Sequence, residues 1–179
     1  MRKTVQALLI AGVFVSALFW RSESHAQVDE AALKAAFIFN FTVFVTWPPG
    51  ALADGHVVVC AGAGGSLTPA LQKLSGRAAN GMTWVVRVIA PAPGEGGANT
   101  CNVVVVSGAD AAARALRSLA AARQPVLVIG TDEEAAQAAP GILLFRDGDH
   151  VRFDIDNSQL VRRNLVASSR LLSLARSIQ

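Results

Sequence analysis

Apolar positions recur along this chain in two rhythms, one near 3.6 residues and one near 2, and the two alternate from end to end. The densest run covers residues 34–49. Phe37, Phe41 and Phe44 fall at i, i+4 and i+7, one face of a helix, and Ile38, Phe39 and Val43 leave little of the remaining surface polar. Such a helix is expected to be buried on most sides, with the Asn40 amide requiring partners if it is buried too. Pro48 and Pro49 lack the N–H that a helix uses, and Pro48 drives Trp47 out of the α region, so the helix should end near Thr46.

Downstream, residues 56–61 read as a strand. Thr68 and Pro69 supply an N-cap and a first helical position for a short helix that Gly76 ends. Asn80 and Gly81 mark a turn into a strand at 83–90, and residues 91–100 form a Gly/Pro-rich loop without periodicity. A strand at 102–107, a helix from an Asp110 N-cap to about residue 122, and a continuous apolar strand at 125–130 follow; the last is the kind found in sheets covered on both faces. A short helix capped by Thr131, Asp132, Glu133 and Glu134 ends at Pro140 and Gly141. Asp147 and Gly148 between the runs 142–146 and 151–155 signal a hairpin. Residues 157–177 read as one long helix, with Leu160, Leu165, Leu171, Leu172, Leu174 and Ile178 inward and Arg162, Arg163, Arg170 and Arg176 outward. The expected fold is a single three-layer α/β domain: a mostly parallel sheet of about five to six strands with flanking helices, then a C-terminal hairpin and long helix.

The N-terminus changes the setting. Arg2 and Lys3 precede an apolar stretch at residues 5–20, and Ser24, His25 and Ala26 end in a small residue, the pattern of a secretory leader cleaved after Ala26. The apolar stretch is shorter than the roughly 20 residues of a spanning helix. Residues 1–26 are therefore expected to be a signal peptide and residues 27–179 the mature domain, exported to the periplasm. Arg2, Lys3, Arg21 and Glu23 leave with the leader, so 16 basic and 13 acidic residues become 13 and 12, a net charge of +1. A nearly neutral domain without a Lys/Arg cluster lacks the footprint of a nucleic-acid binder.

Cys60 and Cys101 are the two cysteines. In an oxidising compartment an even count predicts one disulfide, with two buried free thiols as the alternative. His150 is far from both in sequence, His56 alone precedes Cys60 by four residues, and no Cys-x-x-Cys spacing exists, so no metal site is expected.

Catalytic chemistry finds little support. Gly62, Gly64, Gly65 and Ser66 sit between a strand and a helix, where a small anionic ligand could rest, yet they match neither a Walker motif nor G-x-G-x-x-G. Asp132, Glu133 and Glu134 fit first-turn charge on a helix dipole better than paired catalytic carboxylates. No serine stands in a G-x-S-x-G elbow, and His56 and His150 lack a recognisable setting, so no catalytic residue and no cofactor are expected. Arg146 and Arg152 on the hairpin and Arg162 and Arg163 on the last helix could offer a modest basic edge to an acidic partner, or be solvated charge.

Lys34, Ala35, Ala36, Phe37, Asn40, Phe41, Phe44, Trp47 and Pro48 together resemble the opening of the YfiR-like (HmsC-like) family of periplasmic proteins. The resemblance continues through Leu74, Gly76 and Arg77, then Asn80 and Gly81, then Cys101 ahead of a valine run, then Val151, Phe153 and Ile155, then Ser168 to Leu172. It spans nearly all of the mature chain. The resemblance implies a dimeric periplasmic repressor that binds the periplasmic sensor portion of an inner-membrane diguanylate cyclase, lowers cyclic di-GMP and biofilm formation, and is itself sequestered by an outer-membrane lipoprotein. Members can carry a second disulfide in the C-terminal half, for which this chain has no cysteine. The alternative reading is a periplasmic small-ligand-binding module with its pocket at or beside Gly62, Gly64, Gly65 and Ser66.

Overall fold

Four consecutive valines fix the middle of the molecule, because a strand with no polar side chain on either face must be covered on both. The computed structural model describes residues 24–52, 54–89, 101–122 and 124–179. Most of the expected leader and the loop at 91–100 lie outside the described residues.

In chain order, helix α1 (Ser24–Phe44) leads through β1 (Val45–Thr46) to β2 (His56–Gly62). Helix α2 (Leu67–Gln72), β3 (Ala78–Ala79), β4 (Met82–Ile89) and the valine strand β5 (Val103–Val106) follow. Helix α3 (Ala109–Ala122) precedes β6 (Leu127–Gly130), a 3-10 turn (Glu134–Ala138), β7 (Ile142–Asp147) and β8 (His150–Ile155). The chain closes with α4 (Asn157–Arg162), β9 (Val166–Ala167), α5 (Ser169–Leu174) and β10 (Ser177–Ile178).

Eight strands form one sheet in the order β10-β8-β7-β6-β5-β2-β4-β3, and β1 pairs β9 in a separate ribbon. From β4 through β2, β5 and β6 to β7 every pairing is parallel; β7–β8 and β3–β4 are antiparallel. The fold is thus the expected mixed α/β class, with the extra strands being two-residue edges too short to show a period in sequence.

Alternation along the strands sorts the core into two layers. Val57, Val59 and Ala61, Val103 and Val105, and Leu127 and Ile129 face α1 and α2. Cys60, Val104, Val106, Val126 and Val128 face α3. On the α1 side Phe41 meets Phe153 edge-on at 4.9 Å between ring centroids, and Phe39 meets Trp84 at 5.4 Å. On the α3 side Ala112 and Leu119 pack over the Cys60–Cys101 disulfide, whose Cα atoms are 5.9 Å apart.

Two asparagines close the amino end of the sheet. The Asn102 side chain accepts from Val58 N at 2.8 Å and donates to the Ala51 carbonyl at 3.1 Å, tying the segment after α1 to β2 and β5. Asn80, at φ +52 ahead of Gly81 at φ +79, makes the two-residue turn between β3 and β4 and donates to the Val43 carbonyl at 2.7 Å, satisfying an orphan acceptor at the end of α1.

Several expectations change. Asn40 is exposed, so its amide is met by water rather than by buried partners. Thr68 does not cap α2; it lies inside the first turn and donates to the Gly62 carbonyl at 2.7 Å. Asp110 lies in the first turn of α3 rather than at its cap. The long C-terminal helix is broken in two. Asn164 takes φ +56, which stops α4 and turns Leu165 into the core, and Ser168 then restarts the helix by accepting from Leu171 N. Leu174 and Ile178, expected inward, are exposed.

Candidate functional site

The chain runs from β2 to β4 on one side, then crosses back over β2 to β5 and proceeds the other way to β6 and β7. The direction of travel reverses between β2 and β5, and open α/β sheets bind ligands outside the carboxyl ends of their strands at such a reversal. Helix α2 packs on the α1 face and α3 on the other, so the loops leaving β2 and β5 part at this edge.

One lip is the loop of Gly62, Gly64, Gly65 and Ser66. Gly64 and Gly65 adopt φ +106 and +71, conformations in which side chains are strained, and nothing lies within 4 Å of a Cβ built on either. Glycine is needed here for the turn and not for close approach. Ser66 occupies the cap position of α2 but its side chain makes no capping bond. With α2 only six residues long, this loop differs from the long-helix phosphate sites that the glycines suggest.

The other lip is a carboxylate latch. Asp132 accepts from Ser107 Oγ, from Gly108 N through both oxygens at 3.0 and 2.9 Å, and from Ala135 N at 2.8 Å. Burial pushes its carboxyl upward, but the bonds from Ser107, Gly108 and Ala135 outweigh this and hold it below its ordinary value. Beside it, Lys34 Nζ donates to the Thr131 carbonyl at 3.0 Å and pairs with Glu30 at 3.0 Å. Arg146 reaches the same Glu30 at 3.3 Å. The hydrogen bond from Lys34 is the main reason the Glu30 carboxyl is lowered, with the charges of Lys34 and Arg146 adding to it against burial.

This arrangement suits holding and not attacking. Ser107 gives its proton to a carboxylate already engaged by two backbone donors and depressed in pKa, which makes a weak general base. His56 starts β2, at the amino end of the strand and away from these carboxyl-end loops, and His150 lies at the β7–β8 tip. Next to the glycine lip, between α1 and α2, a partly open cavity of about 320 Å³ is lined by Ala31, Ala35, Ser66, Pro69, Ala70 and Lys73 among others.

The four arginines do not form one patch on the hairpin. Arg152 is opposite Phe145 and Arg146 opposite Val151, so the two arginines point to opposite faces of the sheet. Arg152 pairs with Asp147 at 2.9 Å, while Arg146 serves Glu30 and Asp149. Arg162 is exposed on α4; Arg163 is half-buried, which lowers its pKa. The same C-terminal region exposes Val161 and Val166, which helical periodicity did not single out, and Leu174, which it placed inward, at 62%, 63% and 65%. Alternation in β9, with Ala167 inward, turns Val166 outward, but a two-residue strand offers no readable period. Ser107 and Gly108 were likewise hidden as partners of Asp132, since a contact 25 residues apart leaves no local pattern.

Residues 31–176 match a family described as YfiR/HmsC-like. A solved structure, a conserved domain protein from Vibrio cholerae O1 biovar eltor, superimposes with a TM-score of 0.53 at 12% identity, covering 83% of this chain and 60% of that one. At that identity the likeness is one of fold, and this chain spans about 60% of the length of the solved protein. No curated protein matches the chain.

Proposed function

The chain belongs to the YfiR/HmsC-like family, and from that membership we propose that it is a periplasmic regulatory adaptor that represses an inner-membrane diguanylate cyclase by binding its periplasmic sensor portion, thereby lowering cyclic di-GMP and biofilm formation. The family match over residues 31–176 carries this reading. It is supported by the Cys60–Cys101 disulfide, which fits an oxidising compartment, and by the secretory pattern of residues 1–26. Among the described residues no helix is long and apolar enough to cross a membrane. The surface we assign to the partner is the C-terminal one, where exposed Val161, Val166 and Leu174 accompany Arg162 and Arg163; an apolar centre with arginine at its border is the usual make-up of a contact surface. Homodimerisation and capture by an outer-membrane lipoprotein belong to the same proposal.

Cyclic di-GMP measured in the host with and without the gene tests the reading. Deletion should raise the level, and restoration should require residues 1–26. An unchanged level across growth conditions, or rescue by the form lacking residues 1–26, would count against it.

A further inference from the structure

The cavity between α1 and α2 is built in a way that the regulatory reading does not use. Its walls are the methyls of Ala31, Ala35 and Ala70 with the Pro69 ring, and its polar groups are the Ser66 hydroxyl and the Lys73 ammonium. Large side chains elsewhere on α1 fill the space between helix and sheet, whereas here alanines on α1 face an alanine and a proline on α2 and leave about 320 Å³ open. Lys73 is exposed and has no acidic partner among the described residues; Glu30 is committed to Lys34 and Arg146, and Asp132 to Ser107 and Gly108. The cavity also adjoins the loop that leaves β2 at the reversal of the sheet, where this class of fold places ligands.

We propose that this cavity is a binding site for a small monocarboxylate with an apolar body, the body lying against Ala31, Ala35, Ala70 and Pro69 and the carboxylate meeting Lys73 and the Ser66 hydroxyl. Charge complementarity selects the anion: the charged group lining the cavity is the Lys73 ammonium, and a charge-assisted hydrogen bond from an ammonium to a carboxylate is stronger than a neutral one. Volume selects the size. At about 30 Å³ for each water-sized group, the space holds about ten non-hydrogen atoms, the size of octanoate.

The test uses purified protein with octanoate as probe and octanol and octylamine as controls, read by thermal shift and by carbon-13 methyl spectra of the alanines. Octanoate should raise Tm dose-dependently and shift the methyls of Ala31, Ala35 and Ala70, with octanol weaker and octylamine without effect. K73Q should weaken octanoate about threefold to tenfold while leaving octanol unchanged, as expected for one partly exposed charge contact. A70L, which fills the cavity, should abolish the shift while retaining a cooperative melt. Should A70L fail to fold, A32L at the exposed rim carries the same comparison. No octanoate response, equal response to octanol, or an undiminished response in both K73Q and the filled variant overturns the site. None of these outcomes depends on cyclic di-GMP, so the site can fail while the regulatory reading stands.

Discussion

The two faces of the sheet are held by different means. The α1 face is packed with large side chains: Ile38 and the rings of Phe41 and Trp84 are fully buried and that of Phe153 nearly so. The α3 face is thin, with an alanine-rich helix whose Ala112 and Leu119 cover valines and a disulfide. Volume stabilises one layer and a covalent cross-link supports the other. What this teaches is that an alanine-rich helix, which removes little apolar area from water, can serve as a full layer when the strands beneath it are joined covalently.

The sharpest way to break that contrast is Phe41→Ala. A fully buried phenylalanine leaves a cavity as well as lost transfer energy, about 3 to 5 kcal/mol, and at 1% exposure the upper end applies. Chemical denaturation followed by the fluorescence of the core tryptophans, Trp47 and Trp84, should show it; a loss of under about 1 kcal/mol would mean that the aromatic layer is not what holds α1. Next comes the Cys60→Ala, Cys101→Ala double variant. The cross-link joins residues 41 apart, worth about 3 to 4 kcal/mol in the chain-entropy account. Its local signature matters more than its size: hydrogen exchange should accelerate in α3 and β5 before α1. Faster exchange in α1 first would reverse the assignment of roles.

A smaller effect is expected at the latch between the layers. Asp132→Ala removes a side-chain cap, costing about 0.5 to 2 kcal/mol at neutral pH. Because the folded carboxyl is held below its ordinary value of 3.8, its contribution is present above that pH and is lost as pH falls through the still lower folded value. The gap between wild type and variant should therefore close in acid melts below about pH 4; a gap that widens would contradict the lowered pKa. Least affected is Arg146→Gln, where an exposed ion pair to Glu30 is worth less than about 1 kcal/mol and should fade with added salt.

Much of this was written locally. The valine strand, the strands from 56 and 127, the Asp147–Gly148 hairpin and the buried Phe41 stripe follow from period and turn chemistry, because each depends on neighbours within a few residues. The C-terminal region failed for a related reason. Leucines at 160, 165, 171 and 174 mimic one helical stripe, yet Asp156 and Ser168 were both available as caps, and Asn164 is a residue that tolerates φ +56. Two cap signals in one stretch outweigh an approximate period. The site was less legible. Asp132 was readable as a cap, but its bonds to Ser107 and Gly108 arise from strand adjacency, and the opposite facing of Arg146 and Arg152 follows only once the hairpin register is known. The β1–β9 ribbon, pairing Val45 with Ala167, had no local trace at all.

The bridge from Cys60 to Cys101 also makes a closed ring of chain out of everything between them, α2, β3 and β4 included. A protease that cuts this protein once anywhere within that ring therefore releases nothing: the two pieces stay joined, run as one species without reductant, and separate only when the disulfide is opened. After such a cut a fragment leaves only with a second cut, inside the ring or outside it, or with a reducing agent.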